Sequence, residues 1–265
     1  MRHLVLAALF CVSGITMSQA ETVQLFAAGS LKRALGDVAE AYGKASGNTV
    51  ETTFGASGLM RQKIEEGATA HVFASANMEH PKALEEAGRA GPVTLFARNR
   101  LCALAQPLVQ VESGSLIYVL LDPKVRVGTS TPKADPSGDY AWELFARAEK
   151  LSKGARKILE EKALKLTGGP DTEKAPEGRN QYAWVMEEKK ADVFLTYCTN
   201  AVLARKELSG LKIIQIPKNL SVGADYGLTV LKDAPEAARK LSDFILSPAG
   251  QKILKGYGFE TVKAR

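Results

Sequence analysis

Histidine, cysteine and long apolar runs are scarce in this 265-residue chain, and each scarcity removes a class of function. There are three His and three Cys. Beyond residue 20 the histidines are His71 and His80, and neither stands in a ligand spacing such as H-x-x-x-H, nor do the cysteines form C-x-x-C. A metal centre lacks its usual ligands, so no cation ligand is expected. A Ser-His-Asp hydrolase needs a His at a corner its Ser can reach, whereas His71 begins a strand-like run, at the end away from the helix starts. The turn Gly55-Ala56-Ser57-Gly58 lacks the G-x-S-x-G spacing of a nucleophile elbow, because Leu59 holds the last position. No phosphate-cradling P-loop occurs, and no enzyme is read here. Lys and Arg form no run and are interleaved with acids, which argues against nucleic-acid binding despite a formal charge of +6.

What is present begins with the N-terminus. Met1-Arg2-His3 is a short basic start, residues 4–12 are apolar, and Ser18-Gln19-Ala20 places small residues at the −3 and −1 positions of a cleavage site. This reads as a secretory signal peptide (residues 1–20) cleaved before Glu21. Cys11 follows Phe10 where lipoprotein processing wants a small residue, so the expectation is a soluble exported protein in the periplasm. No later stretch reaches the roughly eighteen apolar residues of a membrane span. The leader holds one Arg and no acid, so +5 of the formal charge remains after its removal. Cys102 and Cys198 then remain, either as a disulfide in an oxidising compartment or as two separate buried thiols.

The first hundred residues alternate strand-like and helical patterns. Residues 23–28 read as a buried strand, followed by a helix with Leu31, Ala34, Leu35, Val38, Ala39 and Tyr42 on one face and Gly47 at its end. Residues 49–53 are extended, residues 59–66 are helical, residues 71–76 form a strand and residues 81–87 a helix. This order predicts an α/β protein with a mostly parallel sheet flanked by helices. Residues 101–106 read as a strand crossing to a second lobe. Residues 125–129 form a short strand, and the helix after it carries Tyr140, Ala141, Leu144, Phe145 and Ala148 on one face. Residues 153–166 read as a charged helix, 167–178 as an exposed loop, 180–189 as a helix and 192–196 as a strand ending in Tyr197. Strands at 212–216 and 226–231 and helices at 235–246 and 248–257 close the chain.

Ligands of such sheets sit beyond the carboxyl ends of strands, at helix starts, where backbone amides lack intrahelical partners and the dipole is positive. Three strand–turn–helix corners carry a serine there: Ser30, Ser57 and Ser137. Each could instead serve as a plain N-cap. Together with the Tyr197 hydroxyl at a strand end, they form an inventory of neutral donors drawn from both halves of the chain. Such donors suit a compact, fully ionised oxyanion that two closing lobes shield from water.

At these residues the chain resembles the periplasmic molybdate-binding proteins of ABC importers. The resemblance rests on AAGSL (27–31), FGASG (54–58), VFASA (72–76), NRLCALA (99–105), PSGDYA (136–141), ADVFLTY (191–197) and DFILSPAGQKILKGYGF (243–259), in that order over nearly all of the exported chain. It implies a two-lobed periplasmic-binding-protein fold, each lobe a mostly parallel sheet flanked by helices, with the ligand cleft between. One lobe would be residues 21–97 with 224–265, the other 98–223. It implies anion ligands at the serines Ser30 and Ser57, a backbone amide at the Ser137 corner, a second amide at a residue near Arg179 or Asn180, and Tyr197. It further implies capture of molybdate or tungstate, delivery to a membrane ABC permease, no cofactor, and a monomer.

The sequence also departs from that family. His71 and Asn77 stand where the family has Asp, and read as framework positions. The stretch Pro176-Glu177-Gly178-Arg179-Asn180 differs from the family's valine-containing segment, and Tyr197-Cys198-Thr199-Asn200 differs from its Tyr-x-Ser-Asp. An Arg179 pointing into the cleft would add a full charge and a fork of donors. That would favour another oxyanion, such as sulfate or phosphate, or a phosphorylated or carboxylated metabolite. An Arg solvated at a helix start is the alternative. An exported Ser-dependent hydrolase or transferase using Ser30 or Ser57 is the reading from a different class.

Overall fold

A computed structural model of the chain describes residues 20–262, so the leader and its cleavage site lie almost wholly outside the described residues. The apolar run after Glu21 forms β1 (Thr22–Ala28), and a 3-10 turn at Gly29–Leu31 leads into α1 (Lys32–Ser46). Gly47 closes α1 in the left-handed region, φ 76°, its amide donating to the Gly43 carbonyl, as the helix pattern predicts. There follow β2 (Thr49–Gly55), α2 (Ser57–Glu65), β3 (Val72–Ser75), α3 (Glu79–Glu86), the long β4 (Thr94–Ala105) and α4 (Leu116–Leu121). The middle of the chain holds β5 (Val127–Ser130), α5 (Pro136–Glu149), α6 (Ala155–Lys162), β6 (Leu164–Thr167), α7 (Gln181–Glu187), β7 (Val193–Tyr197) and α8 (Cys198–Glu207). The chain ends through β8 (Lys212–Gln215), β9 (Gly223–Val230), α9 (Glu236–Leu246), α10 (Pro248–Gly256) and β10 (Glu260–Thr261). No described helix is long and apolar enough to cross a membrane.

The strands form two sheet regions joined by a strand common to both. In the first, β2, β1 and β3 run parallel, β9 pairs antiparallel with β3, and β4 pairs antiparallel with β9. In the second, β6, β5 and β7 run parallel, and β4 pairs antiparallel with β7 and with β8. Strand β4 pairs with β9 over residues 94–100 and with β7 from Leu101 onward.

The inner strands β1, β3 and β7 are covered on both faces, which is why they read as continuous apolar runs. Period-two alternation sorts their residues between cores. Val23, Leu25, Ala27, Leu101, Ala103, Leu195 and Tyr197 enter the large core, Phe26 and Phe73 a smaller one in the first region, and Cys102, Leu104 and Phe194 another in the second. Each fully buried Leu or Phe contributes about 1.5–3 kcal/mol over an exposed one.

Two expectations need correction. The charged helix at 153–166 stops at Lys162, because Ala163 is extended (ψ 123°) and residues 164–167 pair with β5. The alternation Leu164-Lys165-Leu166-Thr167 fits that edge, and pairing overrides the helical stripe. The residues after Tyr197, for which no element is expected, form a helix. Cys198 opens α8, a helix concealed by Cys198-Thr199-Asn200, residues of weak helix propensity, and held by tertiary contacts.

One of those contacts settles the cysteine question. Cys102 on β4 and Cys198 at the start of α8 form a disulfide, with Cα atoms 4.8 Å apart and 96 residues between them in sequence. It staples the junction behind Tyr197 to the shared strand. Replacing both cysteines by serine should lower the stability of the purified chain by about 2–4 kcal/mol in denaturant unfolding. An unchanged midpoint would contradict that constraint.

Candidate functional site

The corner after β2 is built by close approach. Ala56 precedes α2 in extended conformation, and Ser57 is its first residue, 1% exposed. Ser57 is therefore not the cap of α2. Its Oγ accepts from the Ala76 amide at 3.1 Å, tying the start of α2 to the end of β3, and its own proton remains available to donate. The Gly58 amide donates to the Ala134 carbonyl at 2.8 Å, a contact from the first sheet region to the loop before α5. A side chain at position 58 would collide with the Lys133 and Ala134 carbonyls, so glycine is required where the two halves meet.

Tyr197 completes the contact from the opposite side. It ends β7, is 1% exposed, and its hydroxyl donates to the Ala76 carbonyl at 3.3 Å. The Ala76 peptide is thus held on its N–H by Ser57 and on its C=O by Tyr197. Ser30, in the turn after β1, shares a hydrogen bond of 3.1 Å with the Tyr226 hydroxyl of β9. Asn99 of β4 donates to that hydroxyl at 3.3 Å and to Thr199 Oγ1 at 2.8 Å. The Tyr197 ring packs against Tyr226 (centroids 5.6 Å apart) and Tyr140 (6.2 Å), which carries the cluster to α5. Burial raises the hydroxyls of Tyr197, Tyr226 and Tyr140 far above their usual range, so they remain neutral donors.

On α5 the sequence Asp135-Pro136-Ser137 is a helix start: Asp135 caps, and Pro136 takes the first position. Asp135 Oδ1 accepts from the Ser137 amide at 2.9 Å. Ser137 is fully buried, and its Oγ has no hydrogen-bond partner among the described residues.

Arg179 and Asn180 stand differently. The Arg179 guanidinium is engaged by Glu187 (2.5 Å) and Glu207 (2.6 Å) on the surface. These carboxylates hold Arg179 above its ordinary value, with partial loss to desolvation. Asn180 is the N-cap of α7, its Oδ1 accepting from the Tyr182 and Ala183 amides at 3.0 Å, while its own amide donates to Glu207 Oε2 at 2.8 Å. The groups assigned to the ligand at these two positions are thus spent on anchoring α7 to α8. Helix α7 buries Ala183, Val185 and Met186, while Tyr182, half-buried, stands edge-on against Phe194 at 5.3 Å. Burial first, then the field of Asp135, pushes its hydroxyl up to about 12, while Thr196, Ser130 and Thr167 pull it down.

The histidines have other partners. His71 Nδ1 accepts from the Gln24 amide at 3.0 Å. His80 is buried with neither ring nitrogen bonded among the described residues, and burial, then Arg61, pushes it down to about 4, so it is neutral at neutral pH. The hydroxyls of Ser30 and Ser57 are paired with Tyr226 and Ala76, not with a base.

Sequence reading passed over Tyr226, Asn99, Tyr140, Tyr182 and Asp135. Only Asp135 carried a local signal, the D-P-S start of a helix. The others need the fold to bring β4, β9, α5 and α7 together.

With this geometry in view, comparison with known proteins is decisive at the level of family: residues 23–260 match the model of the bacterial extracellular solute-binding proteins. The chain belongs to that family. It is 36% identical over 238 residues to an uncharacterized protein of Pasteurella multocida (strain Pm70), covering 89% of this chain and 98% of that one. It is 27% identical over 266 residues to the molybdate-binding protein ModA of Escherichia coli (strain K12), covering 96% and 94%. Among solved structures, the sulfate-binding protein SubI from Mycobacterium tuberculosis H37Rv superposes with a TM-score of 0.73 at 18% identity, over 92% of this chain and 88% of that one. The fold is that of the two-lobed periplasmic binding proteins, and the family is one of extracellular solute binders.

The roles of Arg179 and Asn180 are open to direct test. Arg179→Ala should leave anion affinity within about twofold of wild type, since its guanidinium is committed to Glu187 and Glu207 at the surface. Asn180→Ala should lower stability by about 1 kcal/mol through loss of the cap. Calorimetric titration and denaturant unfolding measure these, and a large loss of affinity in Arg179→Ala would return Arg179 to the ligand set.

Proposed function

We propose that this protein captures a compact tetrahedral oxyanion, molybdate or tungstate, between two lobes (residues 21–97 with 224–265, and 98–223) and delivers it to a membrane ABC permease. The observation that carries the reading is the shared hold on Ala76. Ser57 grips its amide from one half and Tyr197 its carbonyl from the other, so two of the assigned donors meet where the halves touch. Ser30 reaches the same cluster through Tyr226, and Ser137 brings a buried hydroxyl with no partner among the described residues. These donors are neutral, and the cation that favoured a differently built site, Arg179, is paired elsewhere. Neutral dipoles aimed at a fully ionised anion need no counter-charge inside the cleft, and exclusion of water strengthens each bond. The molybdate-binding relative supports the choice of anion.

Sulfate is the second reading, favoured by the fold shared with the sulfate-binding protein. The two separate by thermal unfolding of the purified chain. At about one hundred times its dissociation constant, the ligand should add about 2.7 kcal/mol of apparent stability. Molybdate should therefore raise the melting temperature strongly and sulfate little. Ser57→Ala should lose about 1.5–3 kcal/mol of binding. An equal or larger shift with sulfate or phosphate overturns the choice of molybdate, and no shift with any of the three overturns oxyanion capture.

A further inference from the structure

Asp135 presents an electrostatic problem at this corner. Its Oδ1 takes the Ser137 amide, and its backbone carbonyl accepts from the Gly138 and Asp139 amides (2.8 and 3.4 Å). Pro136 has no N–H. The first-turn amides of α5 are thereby satisfied within the corner, and what it offers a ligand is the buried, unpartnered Ser137 hydroxyl. The other carboxylate oxygen is turned toward the loop after β6, where a Cβ on Gly168 would come within 2.5 Å of it; φ at Gly168 is 75°, a further reason for glycine.

No Lys or Arg forms an ion pair with Asp135 among the described residues. The groups that share its electrostatic surroundings are Asp139 from α5, Ser130 from β5, Tyr182 from α7, Tyr197 from β7 and Tyr226 from β9. Lys133, two residues before it, is exposed and gives its backbone amide to Asp139. The surroundings thus hold one like charge and neutral hydroxyls. A dianion brought beside Ser137 would be a second like charge, and two such charges sharing a site do not both persist.

We propose that anion capture is coupled to proton uptake at Asp135: the oxyanion binds with this carboxyl in its neutral acid form, and the proton comes from solvent. The inference rests on the oxyanion reading above. The direction of the Asp135 equilibrium agrees with it. Burial pushes the carboxyl up to about 6, and Asp139 adds to this, against the lowering by the Ser137 amide and Ser130. A bound anion raises it further, so the complex holds more protons than the free protein above about pH 6. Affinity then falls as pH rises through that window, by up to about tenfold per pH unit. Sulfate and molybdate titrate in more acidic solution, so the slope belongs to the protein.

Calorimetric titration of the purified chain with sodium molybdate and sodium sulfate, from about pH 6 to about pH 8 in buffers of different ionisation enthalpy, reads the proton directly. The expected result is proton uptake approaching one per anion and affinity that weakens with pH. Asp135→Asn preserves the helix cap and should bind with no proton uptake and a flat pH profile. Asp135→Ser, also a capping residue, provides a second neutral variant. Binding by wild type without proton uptake, or an Asp135→Asn protein that keeps the wild-type slope, overturns the inference while leaving oxyanion capture intact. A wild type that binds neither anion at any pH overturns the oxyanion reading and the coupling with it.

Discussion

Strand β4 is hydrogen-bonded in two sheets at once, and the placement of the site depends on that shared ladder. Its first stretch pairs with β9 and its second with β7, the change falling between Arg100 and Leu101. A one-residue slip along either ladder would turn every side chain of that stretch to the opposite face. Around the change stand Asn99, which bonds Tyr226 and Thr199, Leu101, opposite Tyr197, and Cys102, disulfide-bonded to the start of α8. The residues that bring Ser30 and Tyr197 into one cluster are thus held to a few consecutive positions of one strand. The same arrangement explains how two sheets with separate outer cores can share a large one. Alternate residues of β4 feed the common core (Leu101, Ala103, Ala105) and the second region's own (Cys102, Leu104).

Much of this frame was legible in the residues. The α1 stripe, the Gly47 stop and the β-α alternation follow from local periodicity and backbone freedom. The crossing strand was legible as an apolar run at 101–106, but not its extension back to Thr94, because Arg98, Asn99 and Arg100 interrupt the run and are placed by pairing with β9. Strand β6 and helix α8 were missed for the same kind of reason. Each carries a weak or contrary propensity that tertiary pairing or a disulfide overrides. Among the site residues, Ser30, Ser57, Ser137 and Tyr197 stood at strand ends and helix starts, where sequence logic looks. Arg179 and Asn180 also stood at a helix start, yet Glu207, distant in sequence, takes both the guanidinium and the amide. No local pattern announces a partner 28 residues away.

The serine corners also show that a helix start has more than one use for a hydroxyl. By its position Ser57 could serve as either a cap or a ligand. It is instead a bridge to β3, accepting the Ala76 amide while keeping a proton to give. Ser137 was open to the same alternatives, but Asp135 takes the capping role two residues earlier and leaves the serine hydroxyl uncommitted. Capping by Asp135 places a carboxylate where the resemblance placed an anion-binding amide. The same substitution of roles that frees Ser137 also brings in the charge that makes the site sensitive to protons.

In this arrangement several donors satisfy one another, and that bears on selectivity. Ser30 pairs with Tyr226, and Tyr197 with the Ala76 carbonyl, both as neutral bonds. Such bonds contribute about 0.5–1.5 kcal/mol each, whereas bonds to a charged acceptor contribute about 1.5–3 kcal/mol. A ligand that draws these donors away must offer more than they give each other. A neutral ligand with comparable acceptors gains little from the exchange, while an ionised oxyanion gains with every donor it recruits, and more so in a region from which water is excluded. For the proposed capture, the internal pairing of hydroxyls thus works as a filter for charge. The Asp135 carboxyl adds a filter of a different kind, favouring capture where a proton can accompany the anion.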